Sequence, residues 1–170
     1  MGLSSIGAAG VHIGPATMER EADGFEVGAL VDWGWVRHRA LRIEGEVSFM
    51  QVTLSEFVVT ENREFRGHVY DLSTSLSLVV HGGNSRSRLV PFLSAGVGVH
   101  ALSSAFSEVS LDQRYNANPF GSHIGAGARI WIPGLERHGV FVEVRRAIAE
   151  HVNRTVVRFG GLIFYNDLIR

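Results

Sequence analysis

The chain has 170 residues, 45% of them hydrophobic and 19% charged, with 20 glycines, 4 prolines, no cysteine and a formal net charge of -1. That length suits a single domain spanning 1–170. The near-zero charge and the lack of a basic cluster leave nothing for nucleic acid, the missing cysteines exclude disulfides and thiolate metal sites, and no apolar run approaches the roughly 18 to 20 residues of a spanning helix.

All 16 cations are arginine, whose rigid guanidinium suits fixed ion pairs. The dominant pattern along the chain is an alternation of period two, the mark of a strand with two different faces. Leu3 to Ile13 carries Ala9, Val11 and Ile13 on one face. From Gly24 to Val36 the odd positions are Phe25, Val27, Ala29, Val31, Trp33 and Trp35, set against Glu26, Gly28, Leu30, Asp32 and Gly34. Leu41, Ile43, Val47 and Phe49 oppose Arg42, Glu44, Glu46 and Ser48. Leu72, Leu76, Leu78 and Val80 oppose Asp71, Ser73, Ser75 and Ser77. Leu93, Val97 and Val99 oppose Ser94, Gly98 and His100. Ile124, Ala126, Ala128 and Ile130 oppose His123, Gly125, Gly127 and Arg129. Val140, Val142 and Val144 oppose Phe141, Glu143 and Arg145, and Val157, Phe159, Ile163 and Tyr165 oppose Arg158, Gly160 and Leu162. The count is about eight strands.

One face carries glycine, serine and charges of both signs: Arg42, Glu44, Glu46, Asp71, Arg129, Glu143, Arg145 and Arg158. Small residues beside paired charges suit the interior of an eight-stranded barrel, whose lumen holds only side chains. The other face is nearly uncharged over about ten residues, the length that crosses a bilayer when tilted. Phe25 and Phe120 at one end, and Trp33, Trp35 and Tyr165 at the other, read as interfacial aromatics. The expected fold is therefore all-β, a closed antiparallel up-and-down transmembrane barrel. Short turns are expected at Arg37 to Ala40, Gly82 to Arg88 and Pro133 to Gly139. Longer links are expected at Pro15 to Asp23, Leu54 to Glu64, Ala105 to Pro119 and Ala149 to Arg154. That asymmetry is the one bacterial outer-membrane barrels show. Met1 to Ser5 lacks the features of a signal peptide, so an outer-membrane location implies a leader outside this segment.

Three segments resemble the small outer-membrane barrels of the OmpA and opacity-protein type. Pro91 to Ser104, PFLSAGVGVHALSS, is similar to that family's PYLGAGVG strand; Phe120 to Ile132, FGSHIGAGARIWI, is similar to its next GAGV strand. Val140 to Arg146, VFVEVRR, is similar to its LFLEYRY strand. The resemblance implies outer-membrane lipid and lipopolysaccharide as surroundings, and another protein as a partner through the loops or the wall. It implies no cofactor. Two departures stand out: the chain runs past Tyr165 to Arg170 instead of ending on an aromatic residue, and no peptidoglycan-binding domain follows.

Lipid A deacylases of similar architecture carry His-x-Ser-Asn after an RAI-like run on the penultimate strand, with serine as nucleophile and histidine as base. Here Arg146-Ala147-Ile148 is followed by Ala149 and His151 at those two positions, so the motif is broken. The eight histidines show no paired metal spacing, although His100 and His123 fall on neighbouring strands near the loop end. The GVG and GAG runs lie inside strands, where no phosphate cradle forms. The reading is a non-enzymatic barrel with a side-chain-filled lumen. The alternatives are a soluble lipocalin-like barrel holding a small apolar ligand and a lipid A-modifying enzyme. Two placements follow. Arg146 shares the parity of Val144 and belongs at the loop-end rim, unless a bulge turns it inward, and a turn centred near Glu136 sets Arg129 directly opposite Glu143.

Overall fold

The computed structural model describes residues 7–18, 22–35, 41–58, 62–82, 88–105, 117–132, 138–149 and 152–165. They form β1 (Gly7–Met18), β2 (Ala22–Trp35), β3 (Leu41–Val58), β4 (Arg63–His81), β5 (Leu89–Ala105), β6 (Phe120–Trp131), β7 (His138–Ala149) and β8 (Val152–Tyr165). Each strand pairs antiparallel with its neighbours in sequence, and β1 closes on β8. An even strand number puts the start of β1 and the end of β8 at the same rim, the turn end.

The expected asymmetry of the connections is corrected. At the opposite rim β1 and β2 are separated only by 19–21 and β7 and β8 only by 150–151, and β3 pairs with β4 out to Val58 and Arg63. Asn62, with φ of 50°, turns that hairpin in the left-handed region that asparagine tolerates. Only 106–119 is a long link. The polar run around Ser55, Glu64 and Arg66 reads as loop by composition. A backbone ladder, however, continues through it, with Ser55, Glu64 and Arg66 exposed on the outer face and Leu54 and Val69 buried on the inner one.

Parity sorts the side chains. Val11, Leu93, Ile124 and Phe159, each more than half exposed, lie on the outer wall with Val47, Leu72, Val97 and Val144. Glu26, Asp32, Glu44, Glu46, Asp71, Glu143 and the guanidinium groups of Arg42, Arg129, Arg145, Arg154 and Arg158 are buried inside. A soluble barrel has the reverse distribution. Apolar side chains presented in a continuous outer band have no stable solvent except hydrocarbon, and buried charges must be paired. The barrel is transmembrane.

The lumen also contains apolar packing that a glycine, serine and charge description omits. Met18, Met50, Val52, Leu54, Val69 and Leu102 form a cluster towards the loop end, with Ala117 packed against it. Ala8, Leu30, Phe141 and Leu162 form a second towards the turn end, against Trp131. Inward glycines make room for inward rings on the adjacent strand. A Cβ on Gly28 would meet the His12 ring, on Gly96 the His123 ring, on Gly127 the Phe92 ring and on Gly160 the Phe141 ring. Each of those four glycines is the direct cross-strand partner of its ring residue. Large against small is how a narrow lumen is filled.

One bulge interrupts the pairing. Between Asp32 and Gly34 the β2–β3 register slips by one residue, so Trp35 pairs with the inward Arg42. An extra residue in one strand shifts the pairing beyond it; the side chain of Trp35 lies outside the described residues. Trp33, in the bulge, stays exposed on the outer wall and lies across Gly45.

Val97→Arg introduces a charge into the apolar wall at a cost of about 2 to 4 kcal/mol near the midplane, so it should abolish the heat-dependent gel shift of the folded barrel. Gly96→Val should fail for a different reason, by colliding with the His123 ring and the Leu76 carbonyl. Leu93→Val, which removes one methylene from the wall, should keep the shift. Normal folding of Val97→Arg would place that wall against water.

Candidate functional site

Among the described residues, chemistry-bearing side chains converge in the lumen, and they divide into two groups. Near the turn end Asp32 on β2 and Glu44 on β3 are direct cross-strand partners, a like-charge pair that is unfavourable alone. Arg129 reaches from β6 to bridge them, with Nη1 donating to Asp32 at 2.9 Å and Nη2 to Glu44 at 2.6 Å. Arg42 Nε lies 2.7 Å from Asp32 Oδ2. The Arg129 guanidinium also sits 5.3 Å from the centre of the Phe92 ring, a cation–π contact.

The second group lies deeper. Arg145 Nη1 donates to Glu46 at 2.9 Å and its Nη2 to Glu143 at 3.2 Å. Arg158 bonds to Glu46, to Glu26 at 2.8 Å and to Glu143 at 3.3 Å. Arg154 joins Glu26, at 3.0 Å, to Asp71. His100 Nδ1 lies 2.8 Å from Asp71 Oδ2, Ser94 donates to Glu143 at 2.6 Å, and Ser77 bonds to His123 at 2.8 Å. Acids on β2, β3 and β4 thus face arginines on β6, β7 and β8, with Arg42 and Glu143 as the exceptions.

The register corrects one expected pair. Arg129 stands opposite Phe141, while Glu143 stands opposite Gly127 on one side and Arg158 on the other. The β6–β7 turn is centred one residue earlier than Glu136. This moves pairing by two positions, so both side chains still point inward but meet different partners. Asp32, Glu26, Arg154 and His12 belong to the network although sequence reasoning did not single them out. Their inward parity was the available signal. Phe25 and Phe120 lie exposed on the outer wall near the loop end. The side chains of Trp35 and Tyr165 lie outside the described residues.

Catalytic chemistry finds little support in this arrangement. His100 and Asp71 form a buried pair, but Ser103 is exposed and has the opposite parity to His100. At the position of the deacylase histidine, Ala149 is buried within the apolar cluster; His151 lies outside the described residues. His100 and His123 do not meet, since His123 pairs across from Gly96, four residues from His100. His12, Glu26 and Glu46 place ligand atoms within 4.8 Å of one another, a spacing compatible with a cation. Arg158 already bonds to both carboxylates, so the chain supplies that positive charge itself.

No protein-family model matches the sequence, and no curated protein matches it significantly. Solved structures of the same fold do. Neisserial surface protein A (NspA) is 14% identical, with 95% of this chain and 97% of that chain covered and a TM-score of 0.59. The outer membrane enzyme PagL is 15% identical, with 92% and 98% covered and a TM-score of 0.58. Ail, the attachment invasion locus protein of Yersinia pestis, in complex with the heparin analogue sucrose octasulfate, is 14% identical, with 94% and 99% covered and a TM-score of 0.51. These likenesses establish the eight-stranded barrel fold and, because an enzyme and an attachment protein share it, nothing about activity.

Arg158→Met leaves Glu26, Glu46 and Glu143 short of a partner and should cost about 3 to 5 kcal/mol in denaturant unfolding from micelles. Adding Glu46→Leu should recover part of that loss. Coupling in this cycle should exceed that of an Arg129→Met and Glu143→Leu cycle, since Arg158 bonds directly to Glu46 whereas Arg129 bonds to Asp32 and Glu44 instead of Glu143. Equal coupling in the two cycles would contradict these pairings.

Proposed function

We propose that this chain is a bacterial outer-membrane barrel that catalyses no reaction, and that it acts through its loop end and its lipid-facing wall. The observation that carries the reading is the filled lumen: paired, buried charges packed alongside two apolar clusters. Among the described residues, six buried carboxylates face five guanidinium groups, so the interior is nearly self-neutralised and offers no path of one sign for ions. Eight strands leave no open channel in any case.

The loop end supplies the contact surface. Its tallest part is the β3–β4 hairpin, where Thr53, Ser55, Glu64, Arg66 and His68 are exposed and Thr53 Oγ1 bonds to His68 Nδ1 at 3.2 Å. Residues 117–119 return along β5, with backbone bonds from Leu102 to Ala117 and from His100 to Pro119. They cap the apolar cluster below. A hairpin standing above a closed lid suits recognition of another molecule at the surface.

Lipid A from cells expressing the protein should keep its full acylation, as read by mass spectrometry. Loss of an acyl chain in those cells that disappears with His100→Ala would replace this reading with an enzymatic one.

A further inference from the structure

Outer-wall side chains on β5, β6 and β7 are uneven in size. Ala95 pairs with Ile124, and Leu93 with Ala126, which in turn pairs with Val144. Alanines beside branched side chains leave a trough of about 530 Å³ lined by Leu93, Ala95, Ile124, Ala126 and Val144, with Arg146 at its upper end. That volume is in the range of clefts that hold a defined small molecule. Arg146 is the cation on this wall. It lies opposite Ile124 on one side and Thr155 on the other, and its Nη1 is 3.1 Å from Thr155 Oγ1. Thr155 pairs with Thr17, and Ser122, one outward step above Ile124, is exposed. Arg146 therefore stands beside the polar Ser122 and Thr155, just inside the upper margin of the apolar band, which ends on the exposed Ile148 and Phe120 one outward step further. From that level a long arginine reaches the headgroup layer while its stem stays in hydrocarbon.

We infer that the trough and Arg146 form a seat for one phosphate-bearing lipid of the outer leaflet, a phosphorylated glycolipid of the lipid A kind. One acyl chain lies along Leu93, Ala126 and Val144, and the phosphate is held by the guanidinium. The inference rests on the outer-membrane reading above. Charge complementarity selects the occupant. A guanidinium binds phosphate through two parallel N–H bonds, at a depth where water competes poorly. A zwitterionic headgroup offers the same phosphate with its charge already matched. A second copy of this chain would bring another arginine to the same place.

The test is native mass spectrometry of the full chain in detergent micelles with diphosphoryl lipid A, and in parallel with lipid A stripped of its phosphates. The wild type should retain one diphosphoryl molecule and lose about tenfold in retention with the stripped form. Arg146→Gln should show the same loss, and Ala126→Phe, which fills the trough from the lipid side, should also lose it. Arg88→Gln, exposed at the turn end, should bind as the wild type does. All variants should keep the heat-dependent gel shift, which separates lost binding from lost folding. Equal retention by wild type, Arg146→Gln and Ala126→Phe would overturn the seat and leave the barrel reading standing. Dimers without lipid would overturn it by assigning the trough to a second copy. A wild type that enters neither micelles nor vesicles would overturn the membrane reading and the seat together.

Discussion

Everything in this molecule follows from the width of its lumen. Eight tilted strands enclose a space that side chains fill completely, so each inward position is either a large group or the gap that admits one. Inward glycines are therefore not turn residues here. Gly28, Gly96, Gly127 and Gly160 are the spaces into which His12, His123, Phe92 and Phe141 lean from the next strand. The same narrowness forces arginines from one wall against carboxylates of the other. Among the described residues, six buried carboxylates meet five guanidinium groups, so most of the charge is compensated by the chain.

That compensation has a division of labour. Asp32 and Glu44 sit side by side and would repel, yet Arg129 spans both from across the lumen and joins three strands with one side chain. Arg158 does the same for Glu26, Glu46 and Glu143. Such bridges are weak evidence for added stability, since replacing a complete pair with apolar groups is often neutral. Their geometric consequence is firmer. A guanidinium that must meet two or three carboxylates at once holds the register of strands far apart in the chain.

The interior is filled by the chain's own side chains. The fold is shared with a protein described as an enzyme and with one described as an attachment protein, so the scaffold permits either. Three local features of this chain stand out: Ala149 buried within an apolar cluster, an exposed polar hairpin between β3 and β4, and Arg146 exposed on the outer wall.

Parity was legible in the sequence because period two is a local property. Any strand that buries one face in a lumen and shows the other to lipid must alternate, and Val140 to Arg145 did so without reference to the rest of the chain. The barrel, its eight strands and the inward direction of Arg42, Glu44, Glu46, Asp71, Arg129, Glu143, Arg145 and Arg158 all follow from that. Partners did not. Arg129 meets Asp32 97 positions away and Arg158 meets Glu26 132 positions away, across a lumen whose geometry exists only after closure. The strand ends were hidden for a related reason: the polar residues of the β3–β4 hairpin resemble a loop until the backbone ladder is seen to continue. So was the bulge at Trp33, which slips the β2–β3 register by one residue with no local mark in the alternation. Local alternation decides which way a side chain points; only the closed barrel decides what it meets.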